Sequence, residues 1–292
     1  MDRFSSTSHV STGFRPCTSS RVEPSTLPLN LIDPLFDSDS CGVGFVATTT
    51  RTPSHRILAD ALTALARLAH RGATAADGKS SDGVGIMAAV PRELLLESTG
   101  VALDASRLLG AGMVFLPEDE TRAEAVLARC LASHDLEVLA WRDVPTRPET
   151  LGEIALGSMP RVRQVLIADT LKTIPDKQSS MERRLYLARK QFEKLHELGQ
   201  VTGYICSLST QTIVYKAMCS GALLSTFYPD LTDPRFTSTF AIFHQRYATN
   251  TAPSWDRAQP GRKFAHNGEI NTVWGNRSRM EARDWTLPIE CK

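Results

Sequence analysis

The sequence predicts a mixed α/β domain with stacked sheets between helix layers, and three observations carry that prediction. Short apolar runs of strand length alternate with longer stretches whose apolar residues recur at helical spacing. The alternation begins almost at once after residue 40 and continues to residue 283 with no internal repeat and no linker strong enough to split it. The chain has 292 residues, 42% of them hydrophobic, enough to bury a substantial core.

Taken in order, Cys41–Ala47 reads as a strand. Arg56–Arg71 carries Ile57, Leu58, Ala61, Leu62, Leu65, Leu68 and Ala69 on one helical face. Gly83–Val90 is an apolar strand, and Pro91 opens a short helix through Glu97. Gly112–Leu116 is a strand stopped by Pro117, Asp119–His134 a helix, and Leu136–Trp141 and Arg161–Ala168 are strands. Ser180–Leu198 is the strongest helix, with Ser180 as its expected cap and Gly199 as its stop. Tyr204–Ser209 and Thr212–Ala217 read as a hairpin across Thr210-Gln211. Phe236–Thr249 and Phe264–Asn271 are β-rich, and a helix follows from Asn271 or Thr272 through Met280 to Arg283.

Bulk properties exclude several classes of function. Net charge is +1 and charged residues make up 22%, so neither nucleic acid nor an anionic membrane surface is indicated as a partner. No apolar run approaches the roughly 18–20 residues of a spanning helix. Cys17, Cys41, Cys130, Cys206, Cys219 and Cys291 lack C-x-x-C spacing, which argues against a metal site or a disulfide framework. A reducing, cytoplasmic setting is the economical reading. Residues 1–40, rich in Ser, Thr and Pro, read as a prosegment that is removed. Arg3, Arg15 and Arg21 lend this leader some character of a plastid transit peptide, which Asp2, Glu23, Asp33, Asp37 and Asp39 spoil.

Polar clusters interrupt the apolar pattern at element ends. Cut after Ser40, the chain would give Cys41 a thiol beside its own α-amino group, a nucleophile carrying its own base; a buried core thiol is the bland alternative. His70-Arg71-Gly72-Ala73 closes a helix, and a plain helix stop explains it. Ser81-Asp82-Gly83 reads as an ordinary turn into a strand. His244-Gln245-Arg246-Tyr247-Ala248-Thr249-Asn250-Thr251 puts an arginine and several amides at the end of a buried strand. Its fork suits a carboxylate held bidentately, or else a structural salt bridge. His266-Asn267-Gly268-Glu269 resembles a hairpin turn, while the Asn amide beside the Gly N–H could equally form a two-donor oxyanion hole. His70, His244 and His266 each have a plausible structural role, and the free amine would make a histidine base unnecessary.

In this order the clusters, with Asp33-Pro34 upstream and Asn276–Arg283 downstream, resemble the class II glutamine amidotransferase domain that opens the large subunit of glutamate synthase. The resemblance spans about residues 34 to 283. It implies a four-layer αββα sandwich of the N-terminal-nucleophile hydrolase type, incomplete at its C-terminus, over 41–283, with 284–292 as an atypical tail. It implies L-glutamine as substrate and Cys41 as nucleophile. Asn267 and Gly268 become oxyanion donors, Arg246 the grip on the substrate α-carboxylate, and Arg71 and Gly72 positioning residues. Similar domains also use an acidic residue well beyond the Asn-Gly pair; the chain stops at Lys292 first, so a truncated or frame-shifted product is expected.

In the complete enzyme the resemblance implies FMN, an iron–sulfur (3Fe-4S) cluster and NADPH or ferredoxin as electron donor. It also implies 2-oxoglutarate as ammonia acceptor and a small reductase subunit or ferredoxin as partner; no cofactor is expected in this fragment. The alternatives are an inactive fragment acting at most as a binding module, or another class II amidotransferase.

Overall fold

The computed structural model describes residues 42–117, 121–171, 176–248, 251–262 and 273–283, all within the unit Ser40–Lys292. The expected leader 1–40, the β-rich stretch 264–271 and the tail 284–292 lie outside the described residues. Along the chain run β1 (Val43–Ala47), α1 (His55–Arg67), β2 (Ser80–Ala89), α2 (Arg92–Thr99) and β3 (Leu109–Leu116). There follow α3 (Thr121–Ala132), β4 (Leu136–Asp143), α4 (Glu153–Gly157), β5 (Arg161–Asp169) and α5 (Lys177–Glu197). Then come β6 (Tyr204–Ser209), β7 (Thr212–Cys219), α6 (Leu224–Phe227), β8 (Phe240–Gln245) and α7 (Val273–Ala282).

The described strands form two four-stranded sheets, ordered β1-β8-β2-β7 and β4-β5-β3-β6, and every pairing with a stated register is antiparallel. Alternate residues of β3 enter two different apolar clusters, as the two-residue period of a strand buried on both faces requires. Ala111, Met113 and Phe115 join a core shared with both sheets and α1, whereas Val114 and Leu116 pack with α3 and α5. α1 lies against β1 and β8, burying Leu58, Ala61 and Leu65. α3 and α5 lie against each other, α3 on β4 and α5 on β6.

A polar network ties the sheets inside this core. Arg142 of β4 forks onto Asp230 (2.7 and 2.8 Å) and also reaches Gln164 of β5 (2.6 Å). Gln164 Nε2 donates to the Tyr215 hydroxyl of β7, which itself donates to Asp230 (2.7 and 2.8 Å).

The structure corrects several sequence expectations. β6 and β7 do not form a hairpin: among the described strands they stand at the edges of different sheets, and Thr210-Gln211 is the corner between them. The corner's polar groups are satisfied by a side chain instead of strand pairing, since Glu182 of α5 accepts from Ser209 Oγ (2.9 Å) and from the Thr210 N–H and Oγ1 (2.5 and 2.6 Å). α5 starts at Lys177, and its cap is Asp176, whose carboxylate accepts from the Ser179 N–H, rather than Ser180. Its end is as expected: Gly199 adopts φ +68°, and the Gly199 and Gln200 N–H groups return to His196 and Leu195 (2.9 and 3.0 Å), a Schellman closure. Ser80-Ser81-Asp82 is the opening of β2, not a turn before it, with the irregularity falling between Ser80 and Val84. α4 and α6, five and four residues long, are too short for a helical period to show in sequence.

Candidate active site

The first sheet brings three strand ends together. Val43 pairs with His244, and Gln245 with Val84, so β1 begins where β8 ends and where β2 leaves its irregular opening. The Gly42 carbonyl accepts from the Gln245 N–H at 2.7 Å and the Gly83 carbonyl from the Arg246 N–H at 2.8 Å. The residue after Cys41 is thus held directly against the last residue of β8, next to Arg246.

Arg246 is 8% exposed. Its Nη1 donates to the Asp82 carbonyl (3.1 Å) and its Nη2 to Thr251 Oγ1 (2.7 Å). Both acceptors are uncharged. The Asp82 carboxylate instead accepts from the Ala248 N–H at 2.5 Å. Burial pulls the guanidinium pKa below its ordinary value, with Asp82 opposing that shift. An arginine so placed gains from an added anion, because desolvation of a charge is costly until it is compensated.

Arg71 and Gly72 end a 3-10 turn, Ala69–Arg71, that continues from α1. The Arg71 N–H returns to Leu68 and the Gly72 N–H to Ala69 (2.8 and 3.2 Å). His70 has the bland role, its Nδ1 meeting the Arg67 carbonyl at 3.0 Å. Gly72 is required by packing: a Cβ there would lie 2.2 Å from Gln245 Nε2. Gly83 is required twice over, by φ +121° and by Ala258, whose Cβ would be 2.7 Å away.

Two contributors were not singled out in the sequence as site residues. Gln245, 1% exposed, accepts from the Gly221 N–H through Oε1 at 2.8 Å; the signal available was an amide flanking the arginine at a strand end. Lys216 of β7 is 1% exposed and donates to the carbonyls of Asp256 and Ala258 (2.7 and 2.9 Å). Its ammonium also stands 4.5 Å from the Tyr204 ring centroid. It fixes the segment that packs on Gly83, and Trp255 anchors the same segment through an indole N–H to the Ala155 carbonyl (3.2 Å).

Cys41, Asn267 and Gly268 lie outside the described residues. The cysteines that are described, Cys130, Cys206 and Cys219, are buried and free. Burial raises all three thiols, pushing Cys206 and Cys219 up to about 12, which makes them poor nucleophiles. Among the described residues no group of three His, Cys, Asp or Glu could hold a metal ion. No described helix is long and apolar enough to cross a membrane.

The family model for class-II glutamine amidotransferases matches residues 41–291, beginning at Cys41. The chain is 41% identical over 274 residues to the chloroplastic ferredoxin-dependent glutamate synthase of Oryza sativa subsp. japonica, covering 91% of this chain and 17% of that protein. It is 41% identical over 265 residues to the large chain of the NADPH glutamate synthase of Azospirillum brasilense, covering 87% and 17%. With the NADH glutamate synthase of Saccharomyces cerevisiae it shares 39% over 271 residues, covering 88% and 12%. The chain thus spans about a sixth or less of the length of these curated relatives. With a family match over most of its length and a buried arginine, two required glycines and the start of β1 gathered at one sheet end, the chain belongs to the class-II glutamine amidotransferases, as a domain homologous to the glutaminase part of glutamate synthase.

Proposed function

We propose that this chain is the glutaminase portion of a glutamate synthase, hydrolysing L-glutamine to glutamate and ammonia at Cys41. The reading is carried by one observation: Gly42, Gly72, Asp82 and Arg246 converge at one end of the first sheet. In this reading the leader 1–40 is removed, 41–283 forms the domain and 284–292 its tail. Helices α1 on one side and α3 with α5 on the other support a four-layer αββα arrangement of the N-terminal-nucleophile type.

The liberated α-amino group of Cys41, with a reference pKa of about 8, takes the thiol proton as sulfur attacks the side-chain amide carbon of glutamine. The Asn267 amide and the Gly268 N–H receive the oxyanion, each donor worth on the order of 10²–10³ in turnover. The α-ammonium then returns its proton to the amide nitrogen, and as the carbon–nitrogen bond breaks that nitrogen leaves as ammonia. Water attacks the thioester carbon, giving glutamate and restoring the thiol. Arg246 holds the substrate α-carboxylate, and Arg71 and Gly72 shape the pocket beside the nucleophile.

The ammonia is used to aminate 2-oxoglutarate in the complete enzyme. FMN, a 3Fe-4S cluster and NADPH or ferredoxin supply its redox chemistry from outside this chain, through a small reductase subunit or ferredoxin. We place the chain in the cytoplasm, with a plastid as the alternative address.

The test is intact mass and N-terminal sequencing after incubation with a glutamine-analogue electrophile. The expected product begins at Cys41 and carries one adduct, which Cys41→Ala abolishes. An unlabelled Cys41 behind an uncleaved leader would overturn glutamine hydrolysis by this chain.

A further inference from the structure

Gln245 occupies the middle of the site while contributing no charge and no nucleophile. Its backbone N–H holds the Gly42 carbonyl (2.7 Å), and its Oε1 accepts from the Gly221 N–H (2.8 Å). Its amide lies so close to Gly72 that a Cβ there would fall 2.2 Å from Nε2 and 2.7 Å from Cδ. Gly221 in turn abuts the end of α1, where a Cβ would lie 2.6 Å from the Leu65 carbonyl. One buried side chain therefore touches both Gly221, which rests on the helix, and Gly72, which follows it. The same residue's backbone holds the start of β1, and its chain neighbour is Arg246.

We propose that Gln245 is a positioning residue that sets the distance between the Arg71–Gly72 turn and the end of β8 that leads into Arg246, and so the width of the glutamine pocket. The inference rests on the glutaminase reading given above. The amide is suited to the task because it fills the space that Gly72 leaves and accepts the Gly221 N–H through its oxygen. Leucine would fill a similar volume but orphan that buried donor, which carries a desolvation penalty. The turn would then relax toward or away from β8, and misplacement on the scale of an ångström is costly for binding geometry.

The experiment compares the full chain with Gln245→Leu, Gly72→Ala, Gln245→Asn and the double variant Gly72→Ala/Gln245→Asn. L-glutamine affinity is measured by calorimetric titration, and alkylation of Cys41 by iodoacetamide is followed by peptide mass. Gln245→Leu is expected to weaken L-glutamine binding about tenfold, with the alkylation rate, which needs no glutamine pocket, within about twofold. Gly72→Ala should weaken binding as well, and the double variant should recover part of that loss, because the shorter amide vacates the Cβ volume. Wild-type affinity in Gln245→Leu, or losses in the double variant that simply multiply, would overturn the inference while leaving the glutaminase reading intact. A wild-type chain that does not bind L-glutamine would overturn both. Should Gln245→Leu fail to fold, the Gly72/Gln245→Asn cycle decides the question by itself.

Discussion

Two buried arginines stand at strand ends or edges in this domain, and they are partnered in opposite ways. Arg142 forks both terminal nitrogens onto the Asp230 carboxylate, with Gln164 and Tyr215 completing the set. Burial is the largest single influence and works against its charge, but the hydrogen bonds and negative charge of Asp230, together with Tyr215, outweigh it and the pKa is raised. Arg246 meets a backbone carbonyl and a hydroxyl, while the nearby Asp82 carboxylate is turned to the Ala248 N–H. Its pKa is lowered, burial prevailing over Asp82. The first arginine is finished as a cross-sheet tie. The second keeps a charge that the fold does not neutralise by a direct ion pair among the described residues, an arrangement that supports the carboxylate-binding role proposed for it.

The comparison can be broken at either residue. Arg142→Met should give the largest effect, a destabilisation of about 3–5 kcal/mol from the uncompensated Asp230 charge, read from urea unfolding midpoints. A loss below about 1 kcal/mol would mean that the tie is dispensable. Arg246→Lys should leave unfolding far less affected while weakening L-glutamine binding roughly tenfold, since the bidentate fork is lost. An analogue lacking the α-carboxylate should bind both forms alike; equal losses for analogue and glutamine would deny Arg246 its carboxylate.

The smallest effect belongs to a half-buried counterpart, Arg235 with Asp233. The Arg235 hydrogen bond holds the Asp233 carboxyl at about 2. A depressed acid stabilises the fold above its ordinary value near 3.9 and loses that contribution as pH falls toward 2. The thermal-stability gap between wild type and Asp233→Asn should therefore be small at pH 5 and close by pH 2. A gap that persists at pH 2 would show that charge is not its source.

What was legible in the sequence was local. α5 could be read from its apolar spacing and Gly199 stop, and Arg246 from its place at the end of a buried strand. The hairpin reading of β6 and β7 failed because a two-residue connection says how far apart two strand ends are, not which sheet each strand joins. Asp82-Gly83 looked like a turn because the Ala258 contact that demands glycine comes from far along the chain. Lys216 escaped notice for a related reason. A lone lysine in a strand reads as a solvated position, and the carbonyls that stabilise it belong to residues 40 and 42 places away.

The Thr210-Gln211 corner has a mechanical consequence. With two residues of slack between strands of different sheets, and with Glu182 clamping the bend from α5, neither sheet can slide past the other by a strand repeat without tearing the joint. The Arg142–Asp230–Tyr215 tie bolts the same two layers at a second point. Relative sliding of the two sheets is thus opposed at two separate points, one covalent and one polar.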